Sequence, residues 1–167
     1  VNAVNDAPTL AAVAGVSFAE DGSSSLTLSG DDVDGDDLTY SISGGTDITA
    51  LIDGVNITFT ASQDFNGSET FTATVTDGEF TSSQTFTVTV TPVNDAPTLA
   101  AVAGVSFDED GSGSTTLSGS DVDGDNLTYS ISEGVDITAI LDGSTVNFTS
   151  SQDFNGSEEF TVTVTDG

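Results

Sequence analysis

The chain has 167 residues and a formal net charge of −28, with 28 Asp and Glu against no Lys, Arg or His. Such a chain has no internal salt bridges and nothing to replace the counterions of a phosphate backbone, so nucleic acid is excluded as a partner and anionic membrane surfaces are disfavoured. The absence of Cys and His removes disulfides, thiolate and imidazole metal sites, and Ser-His-Asp catalysis.

High charge with few aromatics often marks disorder, but here 35% of residues are hydrophobic and they are strictly patterned. No apolar run approaches the length of a membrane span and no signal peptide is evident. The chain begins inside a motif, so a targeting segment has room upstream.

VNDAPTL starts at Val4 and again at Val93, a period of 93 − 4 = 89 residues. The two copies align without a gap and most aligned pairs are identical, which divides the chain into repeats at 1–92 and 93–167. A period of this length is domain-sized, not solenoid-sized. Val1-Asn2-Ala3 aligns with Val90-Thr91-Pro92 and reads as the tail of a preceding repeat, while the second copy stops before a counterpart of EFTSSQTFTVTVTP. A window onto a longer polymer of domains is expected, its missing last strand supplied by continuation of the chain or donated by another subunit.

In chain order the first repeat predicts strands at 9–18, 24–29, 38–43, 47–52, 55–60, 70–76 and 83–91. The signal is period two: TFTATVT puts Phe71, Ala73 and Val75 on one face and Thr on the other, and TFTVTV does the same with Phe86, Val88 and Val90. Branched Thr suits the outer face of a pleated sheet. The turn signals EDGSS, DDVDGDD, GG, DG, QDFNGSE and DGE separate the strands. Seven short strands in one such repeat predict an all-β, immunoglobulin-like sandwich, built twice, the second lacking its last strand.

DVDGD occurs at 32–36 and 121–125, each time gathering three carboxylates in five residues. Two unit charges about 5 Å apart repel by roughly 3 kcal/mol at an effective dielectric near 20, so clustering of this kind points to a bound cation. Successive strands of a sandwich run up and down. Their turns therefore place Asp6, Asp32, Asp34, Asp36 and Asp77 at the leading end of the first repeat and Glu20, Asp21, Asp64 and Glu69 at its far end. The second repeat has Asn94, Asp95, Asp121, Asp123, Asp125 and Asp166 at its leading end and Glu109, Asp110 and Asp153 at its far end. Head-to-tail stacking then sets one far end against the next leading end, and oxygen-only ligands on loops favour Ca2+ over magnesium. An EF-hand is rejected, because Gly falls at the fourth loop position and Ser43 or Ser132 stands where a bidentate Glu is required.

The segments VNDAP, F-x-ED, DVDGD-x-LTY, DFNG-x-E-x-F and V-T-DG resemble bacterial cadherin-like tandem repeats of large secreted adhesins. VNDAP resembles the cadherin interdomain linker, Asp121 with Asp123 the Asp-x-Asp calcium motif, and Glu20 the acidic residue near the first strand. The resemblance implies calcium at each junction, an extracellular location and a stiffened rod. The chain departs from cadherins in having no Asp-Arg-Glu motif and no Trp, which argues against strand-swap adhesion of the cadherin type.

The expected function is therefore a calcium-rigidified spacer of an adhesin or surface filament, not an enzyme, with neighbouring repeats as partners. A carbohydrate- or ligand-binding module is the alternative and requires exposed aromatic platforms, for which Phe65, Phe80 and Phe154 are the loop candidates. Five Asn-x-Ser/Thr sequons, at Asn56, Asn66, Asn126, Asn147 and Asn155, are expected by chance in so Ser/Thr-rich a chain.

Overall fold

A computed structural model describes residues 4–167; the proposed remnant at 1–3 lies outside the described residues. The chain folds as two compact units, the first running to Val93 and the second spanning Asn94–Gly167.

The first unit contains β1 (Thr9–Leu10), β2 (Val16–Ala19), β3 (Ser23–Thr27), β4 (Gly30–Asp31), β5 (Thr39–Gly44), β6 (Ile48–Asp53), β7 (Asn56–Ala61), β8 (Gly67–Thr76) and β9 (Thr81–Thr91). One sheet runs β2-β9-β8-β5 and the other β3-β7-β6, with β1 and β4 forming a short separate pair. The expected single strand at 9–18 is in fact two. Its first part pairs with β4, and its second runs parallel to β9 with Val16 opposite Val88 and Phe18 opposite Val90. Alternation alone does not reveal such a switch, because both parts keep the same inward parity. The break falls in the small-residue run 11–15, where Gly15 passes so close that an added Cβ would lie 3.0 Å from the Thr87 carbonyl.

The core follows the predicted parity. Phe71, Ala73 and Val75 of β8 and Val88 of β9 are fully buried, with Ile57 and Phe59 of β7 facing them. Phe59 meets Phe71 edge-on at 5.4 Å and Phe86 at 6.0 Å, which locks three strands through one ring cluster. Burying each such side chain contributes about 1.5–3 kcal/mol.

The second unit contains β10 (Thr98–Leu99), β11 (Ser112–Thr116), β12 (Gly119–Ser120), β13 (Thr128–Ile131), β14 (Ile137–Asp142), β15 (Thr145–Ser150) and β16 (Val162–Thr165). The sheet β11-β15-β14 repeats the register of the first unit. The opposite sheet is reduced to β13-β16, and residues 105–108, which correspond to β2, form no strand.

Candidate metal centres

At the leading end of the first unit, Asp32 curls its loop around its own side chain. Its Oδ1 accepts hydrogen bonds from the backbone N–H groups of Asp34 at 2.9 Å, Gly35 at 3.0 Å and Asp36 at 3.3 Å. Gly35 permits the curl with φ +82°. Asp34 Oδ2 then accepts the N–H of Asp6 at 2.7 Å, and Asn5 donates from Nδ2 to Asp77 Oδ2 at 3.0 Å. Three segments distant in sequence are thus tied together by carboxylates accepting from amides.

The second unit repeats the arrangement. Asp121 Oδ1 accepts from the N–H groups of Asp123 and Asp125, Asp123 Oδ2 accepts from Asp95 N–H at 2.8 Å, and Asn94 Nδ2 donates to Asp166 at 2.7 Å. The linker Asn, noted in sequence only at Asn94, has its equivalent in Asn5. The copy of the VND motif was the signal that identifies it.

Those bonds leave oxygens over. Asp32 Oδ2 and Asp121 Oδ2 are buried and accept no hydrogen bond. In each unit one carboxylate oxygen from each of the three loop aspartates lies within 4.8 Å of the others. Oxygens sharing a calcium ion at about 2.3–2.6 Å lie at most about 5 Å apart, so the residues present fit calcium.

The far end of the first unit holds Glu20, only 3% exposed. It follows Phe18 on β2 at the same parity, so the strand points it inward. Its Oε1 accepts the Val93 N–H and its backbone N–H donates to the Thr91 carbonyl, while Oε2 is buried with no hydrogen-bond partner. Beside it, carboxylate oxygens of Asp21 and Asp64 lie within 4.8 Å of each other. Both residues sit third in tight turns, closed by Gly22 N–H to the Ala19 carbonyl and by Phe65 N–H to the Ser62 carbonyl. Both adopt positive φ, 60° and 56°. Gly or Asn usually fills such a position, and backbone strain of this kind gathers at functional sites. Asp110 and Asp153 repeat it with φ 59° and 57°, but Glu109 is exposed.

Glu69, expected among the far-end acids, has a further role within its own unit. Its carboxylate accepts from the N–H groups of Thr46, Asp47 and Ile48 at 3.0–3.1 Å, clamping the β5–β6 loop onto β8, and Glu158 does the same for Val135, Asp136 and Ile137. Partial burial pushes the Glu69 pKa up, but the three amides together outweigh it and hold the carboxyl below its ordinary value. Its parity explains the role: Glu69 shares the inward face of Phe71, and a carboxylate there is stable when backbone donors satisfy it. At Asp77, the Phe80 N–H is the main cause of a lowered pKa, against burial and with help from Glu79 and Asn5.

The aromatic candidates for a ligand platform differ in exposure. Phe65 packs against the core, Phe80 is 41% exposed, and Phe154 is half-buried.

Among the described residues, no helix is long and apolar enough to cross a membrane, which says nothing of a β-barrel. No curated protein matches the chain in sequence. Among solved structures, Drosophila N-cadherin EC1-4 aligns with TM-score 0.60 and 15% identity over 96% of this chain and 45% of that one. Human protocadherin-24 EC1-2 aligns with TM-score 0.55 and 19% identity over 88% of this chain and 81% of that one. These likenesses establish the fold, a tandem of cadherin-like β-sandwiches. The family model described as bacterial Ig domain matches residues 5–91 and again 94–167. The chain belongs to the bacterial Ig domain family and carries two consecutive copies.

Proposed function

We propose that the chain is a non-enzymatic spacer of an extracellular adhesin or surface filament, in which calcium held by the acidic loops stiffens the run from one repeat to the next. The observation that carries this reading is the set of buried carboxylate oxygens without a hydrogen-bond partner, Glu20 Oε2, Asp32 Oδ2 and Asp121 Oδ2, in a chain with no cationic side chain. Asp32, Asp34 and Asp36 would hold the ion in one repeat and Asp121, Asp123 and Asp125 in the next. The Asn5 and Asn94 linkers would be fixed by the bonds to Asp77 and Asp166. Calcium would supply the positive charge that the polypeptide lacks. Duplication of the same loop in both repeats supports a role that accumulates along a polymer, and carboxylates already held by backbone amides suit permanent ion binding better than turnover.

The test is melting and small-angle scattering of the 167-residue chain with calcium and with excess chelator. A ligand that binds only the folded state at a hundredfold excess over Kd adds about 2.7 kcal/mol. Chelation is expected to lower the melting temperature and broaden the distribution of lengths. Identical curves in both conditions would overturn the reading.

A further inference from the structure

β6 is an outermost strand of the sheet β3-β7-β6, and β14 holds the same place in the second unit. Proteins commonly blunt such an edge with Lys, Pro or a bulge. β6 has none of these, and its register with β7 runs unbroken from Ile48 opposite Ala61 to Asp53 opposite Asn56. Among the described residues, the exposed large apolar side chains lie outside the strands, with two exceptions: Leu51 in β6, 70% exposed, and Ile140 in β14, 60% exposed. The two are equivalent, 140 − 51 = 89 residues apart. Thr49 and Asp53 flank Leu51 on the outer face, as Thr138 and Asp142 flank Ile140.

The backbone shows which groups the edge offers. The Ser62 N–H donates to the Asp47 carbonyl, so odd-numbered residues of β6 turn their amides and carbonyls toward β7 and even-numbered ones turn them away. Glu69 confirms the sense, since its carboxylate accepts the outward N–H of Ile48. That leaves the N–H and C=O groups of Ala50 and Ile52, with no strand beside them. In the second unit Glu158 likewise accepts the Ile137 N–H and leaves Ala139 and Leu141.

We infer that β6 is a self-pairing edge, which joins antiparallel to β6 of a second copy of this chain and makes one continuous sheet from two. Opposed residues share a face, so Leu51 lies opposite either Thr49 or Leu51 of the second copy. The first register sets Asp53 against Asp47, a like-charge pair. It also asks Ile52 to bond with Ile48, whose N–H Glu69 already holds. The second register sets Asp53 against Thr49 and pairs Ala50 with Ile52 in both directions. Every free group of Ala50 and Ile52 is then bonded, Leu51 packs on Leu51, and no carboxylate stands opposite another. A single strand pair falls short of the about 1,200–2,000 Å² of stable interfaces, and each chain carries a charge of −28. Pairing is therefore weak and strengthens as salt screens the repulsion. It uses none of the loop aspartates and stands apart from the calcium reading.

The experiment exploits the absence of cysteine. Leu51→Cys puts one thiol at the seam, where opposed Cα atoms of a non-hydrogen-bonded pair lie about 4.5 Å apart, within the about 4.4–6.8 Å of disulfides. Thr49→Cys, exposed on the same face, falls opposite Asp53, which sets its two copies roughly 13 Å apart along the strands. Under mild oxidation in chelator and about 1 M salt, Leu51→Cys is expected to form dimers on the order of tenfold faster than Thr49→Cys, since pairing holds its thiols together. Equal rates, or faster dimers from Thr49→Cys, would overturn the inference. In the same salt, sedimentation of the unaltered chain is expected to show reversible association as its concentration rises. Leu51→Asp combined with Ile140→Asp should abolish it and leave both melting transitions in place. An unaltered chain that stays monomeric up to about 1 mM, or a double variant that associates equally well, would overturn self-pairing.

Discussion

Substituting Asp36→Asn separates the two roles of the acidic loop by sign. Asp36 is exposed, and its carboxylate oxygen lies within 4.8 Å of those of Asp32 and Asp34. The loop hydrogen bonds run to Asp32 Oδ1 and Asp34 Oδ2, with Asp36 contributing its backbone N–H, so the substitution leaves them in place. It removes two of the three repulsive pairs. Even at the 4.8 Å upper limit of their separation, each pair costs about 3.5 kcal/mol at an effective dielectric near 20 but only about 0.9 kcal/mol at that of water. For an exposed loop the lower figure applies, and two pairs give about 1–2 kcal/mol. The metal-free variant should therefore be more stable than the wild type, its first unit melting roughly 5–10 °C higher. In saturating calcium the order should reverse, because one of three clustered ligands is gone.

Scanning calorimetry in chelator and in calcium reads both effects. Salt supplies a control: at 1 M the screening length falls to about 3 Å, so the advantage of Asp36→Asn in chelator should largely disappear. A variant less stable than wild type in chelator would refute the electrostatic argument. A variant that keeps the whole calcium increment would remove Asp36 from the ligand set.

Glu69→Gln should change the acid limb of stability: the Glu69 contribution is complete above about pH 4.5, the ordinary value, and is lost as pH falls through the lower folded pKa. Wild type and variant should thus differ most near neutrality and converge in acid, as urea unfolding at several pH values would show. Phe86→Ala removes a ring packed on Phe59 and Phe71 and should cost the first unit about 3–5 kcal/mol, leaving the transition of the second unit unchanged in a two-step melt. Gly45→Ala should be severe, since φ is +86° and the added Cβ would meet the Ile48 carbonyl and, at 2.7 Å, Phe71 Cζ. Gly54→Ala, with φ +60° and open space around it, should cost only about 1 kcal/mol, and chemical denaturation of the two variants checks the contrast.

The strands that alternate Thr with Phe, Ala or Val were legible because one face of a sheet is buried and the other is not. Phe71 through Val75 and Phe86 through Val90 lie where their parity puts them. The same signal failed between Thr9 and Phe18, where the chain changes partners without changing parity. The aspartate triads were legible from charge density alone. The clamp that Glu69 forms was not legible from its charge, because strand position decides which groups it meets. Parity with Phe71 places it inward and the following turn supplies its donors. Asn5 was legible only through its repeat partner Asn94, since a single neutral amide carries no charge signal.

The parallel pairing of β2 with β9 has a mechanical consequence for the first unit. β2 lies close to the start of the unit and β9 at its finish, and four consecutive residue pairs, Val16 with Val88 through Ala19 with Thr91, join them. Tension on the two ends of the unit pulls these strands along their own axes in opposite directions. The bonds between parallel strands are evenly spaced, so this load falls on all of them at once in shear, whereas a hairpin pulled at its open end parts one bond at a time. Resistance to pulling is set by the unfolding rate and not by equilibrium stability. Strain relief in the first unit would begin with slippage of β2 along β9, and the Phe18–Val90 contact lies inside the segment that must slip.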